Sequence, residues 1–163
     1  MCSDMNNLTR IASFSVNHDF IIEGIYVSRI DGDVTTYDMR TRVPNNKDDD
    51  YMSNLTMHSF EHLFATYVRN SEIGSRVIYF GPMGCQTGFY FLFDEDKLSV
   101  AEAVKLLQLT FTAAARYMGE MPGKSARECG NYINLDIDLA RACCGFYAKV
   151  IENWTEEKLV YPE

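Results

Sequence analysis

Histidine is scarce in this chain. Its 163 residues carry only three, His18, His58 and His62. Positive charge is also short: 15 basic residues face 23 acidic ones for a net charge of −8, and no lysine- or arginine-rich run occurs. Phosphate backbones and anionic lipid surfaces are held by positive charge, so neither nucleic acid nor a membrane is an expected partner. No apolar run approaches the length of a bilayer span, and the opening "MCSDMNNLTR" lacks the basic-then-apolar order of a signal peptide. A reducing, cytoplasmic setting is expected. The five cysteines (Cys2, Cys85, Cys129, Cys143, Cys144) are odd in number and form no disulfide framework, which leaves thiols free as ligands or nucleophiles. Repeats, low-complexity tracts and linkers are missing too, and the length suits one domain over 1–163.

What is present reads as alternating strand pairs and helices. Residues 1–20 are polar and are expected to form an arm or a first strand. "GIYVSRI", "DGD" and "VTTYDMRTRV" give two β-rich runs around an Asp-Gly turn, a hairpin. After the acidic loop "PNNKDDDY", Leu55, Met57, Phe60, Leu63, Phe64, Tyr67 and Val68 recur at helical spacing, predicting a helix over 54–70 capped by Ser53 or Asn54. "SRVIYFG" and the aromatic "QTGFYFLF" read as strands on either side of a turn. A second helix starts at Ser99 with Glu102 in capping-box position and breaks at Pro122-Gly123. "NLDIDLARACCGFYAKVIENW" gives a third, with Cys143 and Cys144 as packing residues. The hairpin turn is too short for a parallel crossover. The expected fold is therefore α+β, a mostly antiparallel sheet with helices packed on one face.

The chemistry concentrates in "HSFEH". His58 and His62 are four residues apart on the predicted helix, one turn above each other, so both imidazoles can reach one ion. Glu61 lies close enough to serve as an acid/base group beside them. A catalytic metal usually has three protein ligands and one open position, so a third donor is needed. Cys85 or Cys129 are the best candidates, with His18 a weaker one. Two histidines at this spacing also occur on ordinary polar helix faces. The histidine-poor composition and the glycine-flanked Cys85 in "GPMGCQTGFY" favour a site. The spacing alone also permits an inverted-motif zinc metallopeptidase, for which Glu128 would be the carboxylate ligand.

Taken in order, "SFSVNH", "YDMRTRVPN", "HSFEHLFATYVRN", "PMGCQTGFY" and "ECG" resemble the S-ribosylhomocysteinase (LuxS) family from residue 13 to about 150. The resemblance implies a metal held by His58, His62 and Cys129, with iron(II) as the physiological ion and zinc(II) or cobalt(II) able to replace it. It implies Glu61 and Cys85 as general acid/bases and Ser13, His18 and Arg40 as substrate-binding residues. In that family the first two of these come from the neighbouring subunit of a homodimer. The reaction implied is cleavage of the S-ribosylhomocysteine thioether. Departures from the family pattern are Tyr79 where an acidic residue is common, "RTR" in place of "RFC", and a shortened segment after His18. They motivate a further alternative, a catalytically drifted binding member of the fold.

Overall fold

In a computed structural model, which describes residues 8–163, the chain forms one four-stranded sheet and three α-helices. Strands β1 (Gly24–Asp31) and β2 (Val34–Arg40) make the first hairpin; β3 (Val77–Pro82) and β4 (Gly88–Asp94) make the second. Sheet order is β1-β2-β4-β3, and every pairing is antiparallel. Helix α1 (Asn54–Arg69) joins the hairpins, and α2 (Val100–Ala114) and α3 (Ile137–Val150) follow. The α+β expectation holds.

Local chemistry explains the ends of these elements. Gly32 opens the first hairpin turn at φ +62, where an L side chain would be strained. Ser53 caps α1, its hydroxyl accepting from Thr56 N at 3.1 Å, so the choice between Ser53 and Asn54 falls to the former. The Ser99/Glu102 capping box of α2 is formed in both directions. Three expectations shift. Residues 8–20 contain no strand, only a short 3-10 turn at Ala12–Phe14, and residues 1–7, with Cys2, lie outside the described part. Helix α2 ends at Ala114 rather than near Pro122, and α3 starts after Asp136, whose carboxylate accepts from the amides of Asp138 and Leu139.

One sheet face is the core face. Ile25, Tyr37, Met39, Phe89, Phe91 and Phe93 alternate onto it, as period-2 geometry requires. Against them α1 lays Phe60 and Phe64, and Phe111 of α2 stacks on Phe64 with ring centroids 3.7 Å apart. Such stacked and edge-on aromatic pairs contribute beyond their buried area. The packing fixes the rotation of α1 and hence where its polar stripe, with His58 and His62, points. The opposite sheet face carries Tyr26, Asp38, Arg40 and Tyr90. Arg40 has glycines as neighbours on both flanking strands, Gly24 and Gly88, and the Trp154 ring takes the space a side chain at Gly24 would fill.

Candidate active site

The i, i+4 spacing on α1 brings the two imidazoles to a centroid distance of 4.6 Å, nearly perpendicular. Cys129 arrives from the connector between α2 and α3, its Sγ 3.3 Å from His58 Nε2. One donor atom from each of His58, His62 and Cys129 lies within 4.8 Å of the others. A tetrahedral ion with metal–nitrogen bonds of about 2.0 Å and metal–sulfur bonds of about 2.3 Å spaces its ligands by roughly 3.3–3.6 Å. The donor set therefore fits a divalent metal.

Both imidazoles are oriented from behind. His58 Nδ1 bonds the carbonyl of Asn134 at 2.8 Å, and His62 Nδ1 bonds that of Pro122 at 2.9 Å. A carbonyl can only accept, so each Nδ1 carries the proton and each Nε2 presents its lone pair. Asn131 N donates to Cys129 Sγ at 3.4 Å. The connector is pinned in turn: Asn134 Nδ2 bonds Asn54 Oδ1, and Asp136 N donates to the buried Ser59 hydroxyl. Gly123 completes the support. Its φ is +68, and a Cβ there would lie 2.8 Å from His62 Nδ1. Sequence reasoning missed these groups. The Pro122-Gly123 break was its only trace, read there as a helix end.

Glu61 is half-buried beside the histidines. Burial lifts its carboxyl above the ordinary range, and the neighbouring His62 and His58 only partly offset this. Glu128 belongs to no donor group among the described residues. Its carboxylate accepts from the Ser125 hydroxyl at 2.5 Å instead.

Cys85 stands in the β3–β4 turn, exposed. In this turn Gln86, at φ 63, takes the left-handed conformation. Gln86 O accepts from Met52 N at 3.1 Å, tying the turn to the segment that leads into α1. The Cys85 thiol lies 3.1 Å from Thr87 Oγ1 and 3.9 Å from Arg40 Nη1. Arg40 itself is a buried cation. Its Nε and Nη2 donate to the two oxygens of Asp38 at 2.7 and 2.8 Å, and Nη1 donates to Thr87 Oγ1 at 2.7 Å. Burial opposes its charge, yet Asp38 outweighs that and raises its pKa. Tyr79, at the departure from the family pattern, is half-exposed and folds its hydroxyl over Gly81. Among the described residues, neither Ser13 nor His18 bonds to these groups. His18 Nδ1 bonds Val16 O at 3.0 Å.

Fold and site together define a class: an α+β protein with a His/His/Cys group able to hold a metal ion. The S-ribosylhomocysteinase (LuxS) profile matches residues 11–158. An S-ribosylhomocysteine lyase of Finegoldia magna is 42% identical over 160 residues, covering 96% of this chain and 100% of that protein. Those of Clostridium acetobutylicum and Borreliella burgdorferi are 40% and 37% identical, over 96% and 95% of this chain and 100% of theirs. The chain belongs to the S-ribosylhomocysteinase (LuxS) family.

Proposed function

We propose that this chain, as a single domain over 1–163, is a carbon–sulfur lyase. It converts S-ribosylhomocysteine to L-homocysteine and 4,5-dihydroxy-2,3-pentanedione, the precursor of autoinducer-2. Family membership carries the substrate; the meeting of His58, His62 and Cys129 beside Glu61 carries the chemistry.

The scissile C–S bond is remote from the aldose carbonyl. Two enolisations move that carbonyl along the sugar until sulfur lies β to it, and elimination then expels the thiolate. Substrate atoms equal product atoms, so neither water nor an oxidant is consumed. His58, His62 and Cys129 would hold the metal, which when bound supplies Lewis acidity toward a sugar oxygen. Cys85, as general base and then acid, takes the proton from a sugar carbon and returns it to the neighbouring one. Glu61, its carboxyl raised by burial, exchanges protons with the sugar oxygens as a general acid/base. Arg40 holds a sugar hydroxyl, and Ser13 and His18 of a second subunit complete the grip in a homodimer. Iron(II) is the ion we assign. The same donors accept zinc(II) or cobalt(II), and zinc stands higher in the Irving–Williams order. The setting is the cytoplasm, where homocysteine returns to the activated methyl cycle and the second product feeds quorum-sensing signals. Nucleic acid and membrane are not partners in this reading.

Titrating the thiol released from S-ribosylhomocysteine by metal-loaded protein tests it. Glu61→Gln and Cys85→Ala should each retain metal and lose about 10²–10⁴-fold in turnover, the usual worth of a general acid or base. Wild-type release no greater than that of Cys85→Ala would refute the reading.

A further inference from the structure

The last residues of the chain, 159–163, follow the segment matched by the family profile, yet they reach the site. Leu159 is buried in the core, and Tyr161 lies flat on Tyr26, with centroids 5.2 Å apart and planes 16° apart. From there its hydroxyl donates to Asp38 Oδ2 at 2.7 Å. This is the oxygen that also accepts from Arg40 Nη2. Asp38 and Arg40 side chains are only 2% and 4% exposed. A buried ion pair holds its geometry only when the remaining lone pairs find donors, and Tyr161 supplies one that water cannot easily replace. Two other tyrosines face Asp38 across the strands, Tyr26 and Tyr90. The Tyr26 hydroxyl is spent on Ile22 O at 3.1 Å, and no bond joins Tyr90 to the carboxylate among the described residues.

We propose that Tyr161 is a positioning residue for Arg40, acting through Asp38. The guanidinium is planar, so fixing Nε and Nη2 on Asp38 also fixes where Nη1 points. Nη1 is the group that bonds Thr87 and faces Cys85. A hydroxyl on the C-terminal tail thereby sets the aim of the cation assigned to substrate binding. Burial, and then the Asp38 charge, push the Tyr161 phenol well above its ordinary range.

The inference rests on the lyase reading for its kinetic part only. Tyr161→Phe keeps the ring on Tyr26 and removes the hydrogen bond to Asp38. Hydrogen exchange at the Arg40 Nε–H, followed by NMR on arginine-labelled protein, should quicken about three- to tenfold in Y161F and stay unchanged in Tyr26→Phe. This is part of the worth of one hydrogen bond to a charged group. KM for S-ribosylhomocysteine should rise by a similar factor with kcat within about twofold, and the rise should vanish in an Arg40→Lys background. Wild-type exchange in Y161F overturns the proposal whatever the turnover, as does faster exchange with an unchanged KM. Equal quickening in Y26F overturns it as well, because general loosening of the tail would then be the cause. Quickened exchange in Y161F alone, in a protein that releases no thiol, upholds the Tyr161–Asp38–Arg40 coupling and refutes the lyase reading instead.

Discussion

Gly123→Ala should damage the metal centre without touching a ligand. The residue sits at φ +68, and an L side chain in the left-handed region costs about 1–2 kcal/mol. Gly32, at φ +62 in the first hairpin turn, carries the same backbone cost. The two differ in their surroundings. A Cβ on Gly32 meets nothing within 4 Å, whereas one on Gly123 lies 2.8 Å from His62 Nδ1 and 3.0 Å from Cε1. Either the imidazole or the connector must yield. The bond from His62 Nδ1 to the adjacent Pro122 carbonyl, now 2.9 Å, is the first to lengthen. Losing an orienting partner of a metal-bound histidine typically costs 10–100-fold in metal affinity, about 1.4–2.7 kcal/mol. Both variants should therefore melt about 2–8 °C lower as apoproteins, given about 2–4 °C per kcal/mol at this chain length. Only Gly123→Ala should bind zinc(II) 10–100-fold more weakly in competition with a chromogenic chelator. Equal zinc affinity in the two variants would refute the argument, whether both were weakened or neither.

Three further outcomes are expected. Cys129→Ser should lose tight zinc binding while Glu128→Ala keeps it; the reverse result would favour the metallopeptidase alternative, whose carboxylate ligand Glu128 would be. Phe64→Ala removes a fully buried ring stacked on Phe111 and should cost about 3–5 kcal/mol in urea unfolding, and a loss under about 1 kcal/mol would mean the aromatic core is not packed as described. Stability should fall on the alkaline side, because burial raises the phenols of Tyr26, Tyr37, Tyr90, Tyr147 and Tyr161 above their ordinary 10.0. Below that value both states hold the proton and the contribution is complete; above it the unfolded chain ionises first, and stability drains as pH rises toward the folded values. Urea titrations at about pH 9 and about pH 11 should differ, and a flat profile would contradict the burial of these rings.

The parts of the site that were legible in the sequence are those whose geometry is local. His58 and His62 share a turn of one helix, and helical spacing alone brings them together. The third donor was not local: Cys85, Cys129 and His18 all remained open on the residues alone, and only the path of the connector brings the Cys129 sulfur to the imidazoles. The carbonyls of Pro122 and Asn134 left no signal, since every residue has one. Ser59 left no signal either, yet its hydroxyl is buried and receives the amide of Asp136. The amphipathic stripe of α1 and the alternation in β4 were strong enough to give the α+β layering. The N-terminal segment was too polar for periodicity to decide between arm and strand.

The seam between β2 and β4 has a kinetic consequence. Each hairpin closes a short loop and can form within microseconds, but β2 meets β4 only after the intervening chain, with α1 and β3, has been gathered in. Arg40 lies on one side of that seam and Thr87 at its other edge, next to Cys85. The arginine and the thiol therefore come together only when the central pairing zips shut, late in folding. A nascent chain displays Cys85 on an early hairpin without its cation, and the gain of Arg40 beside that sulfur would time the closing of the sheet.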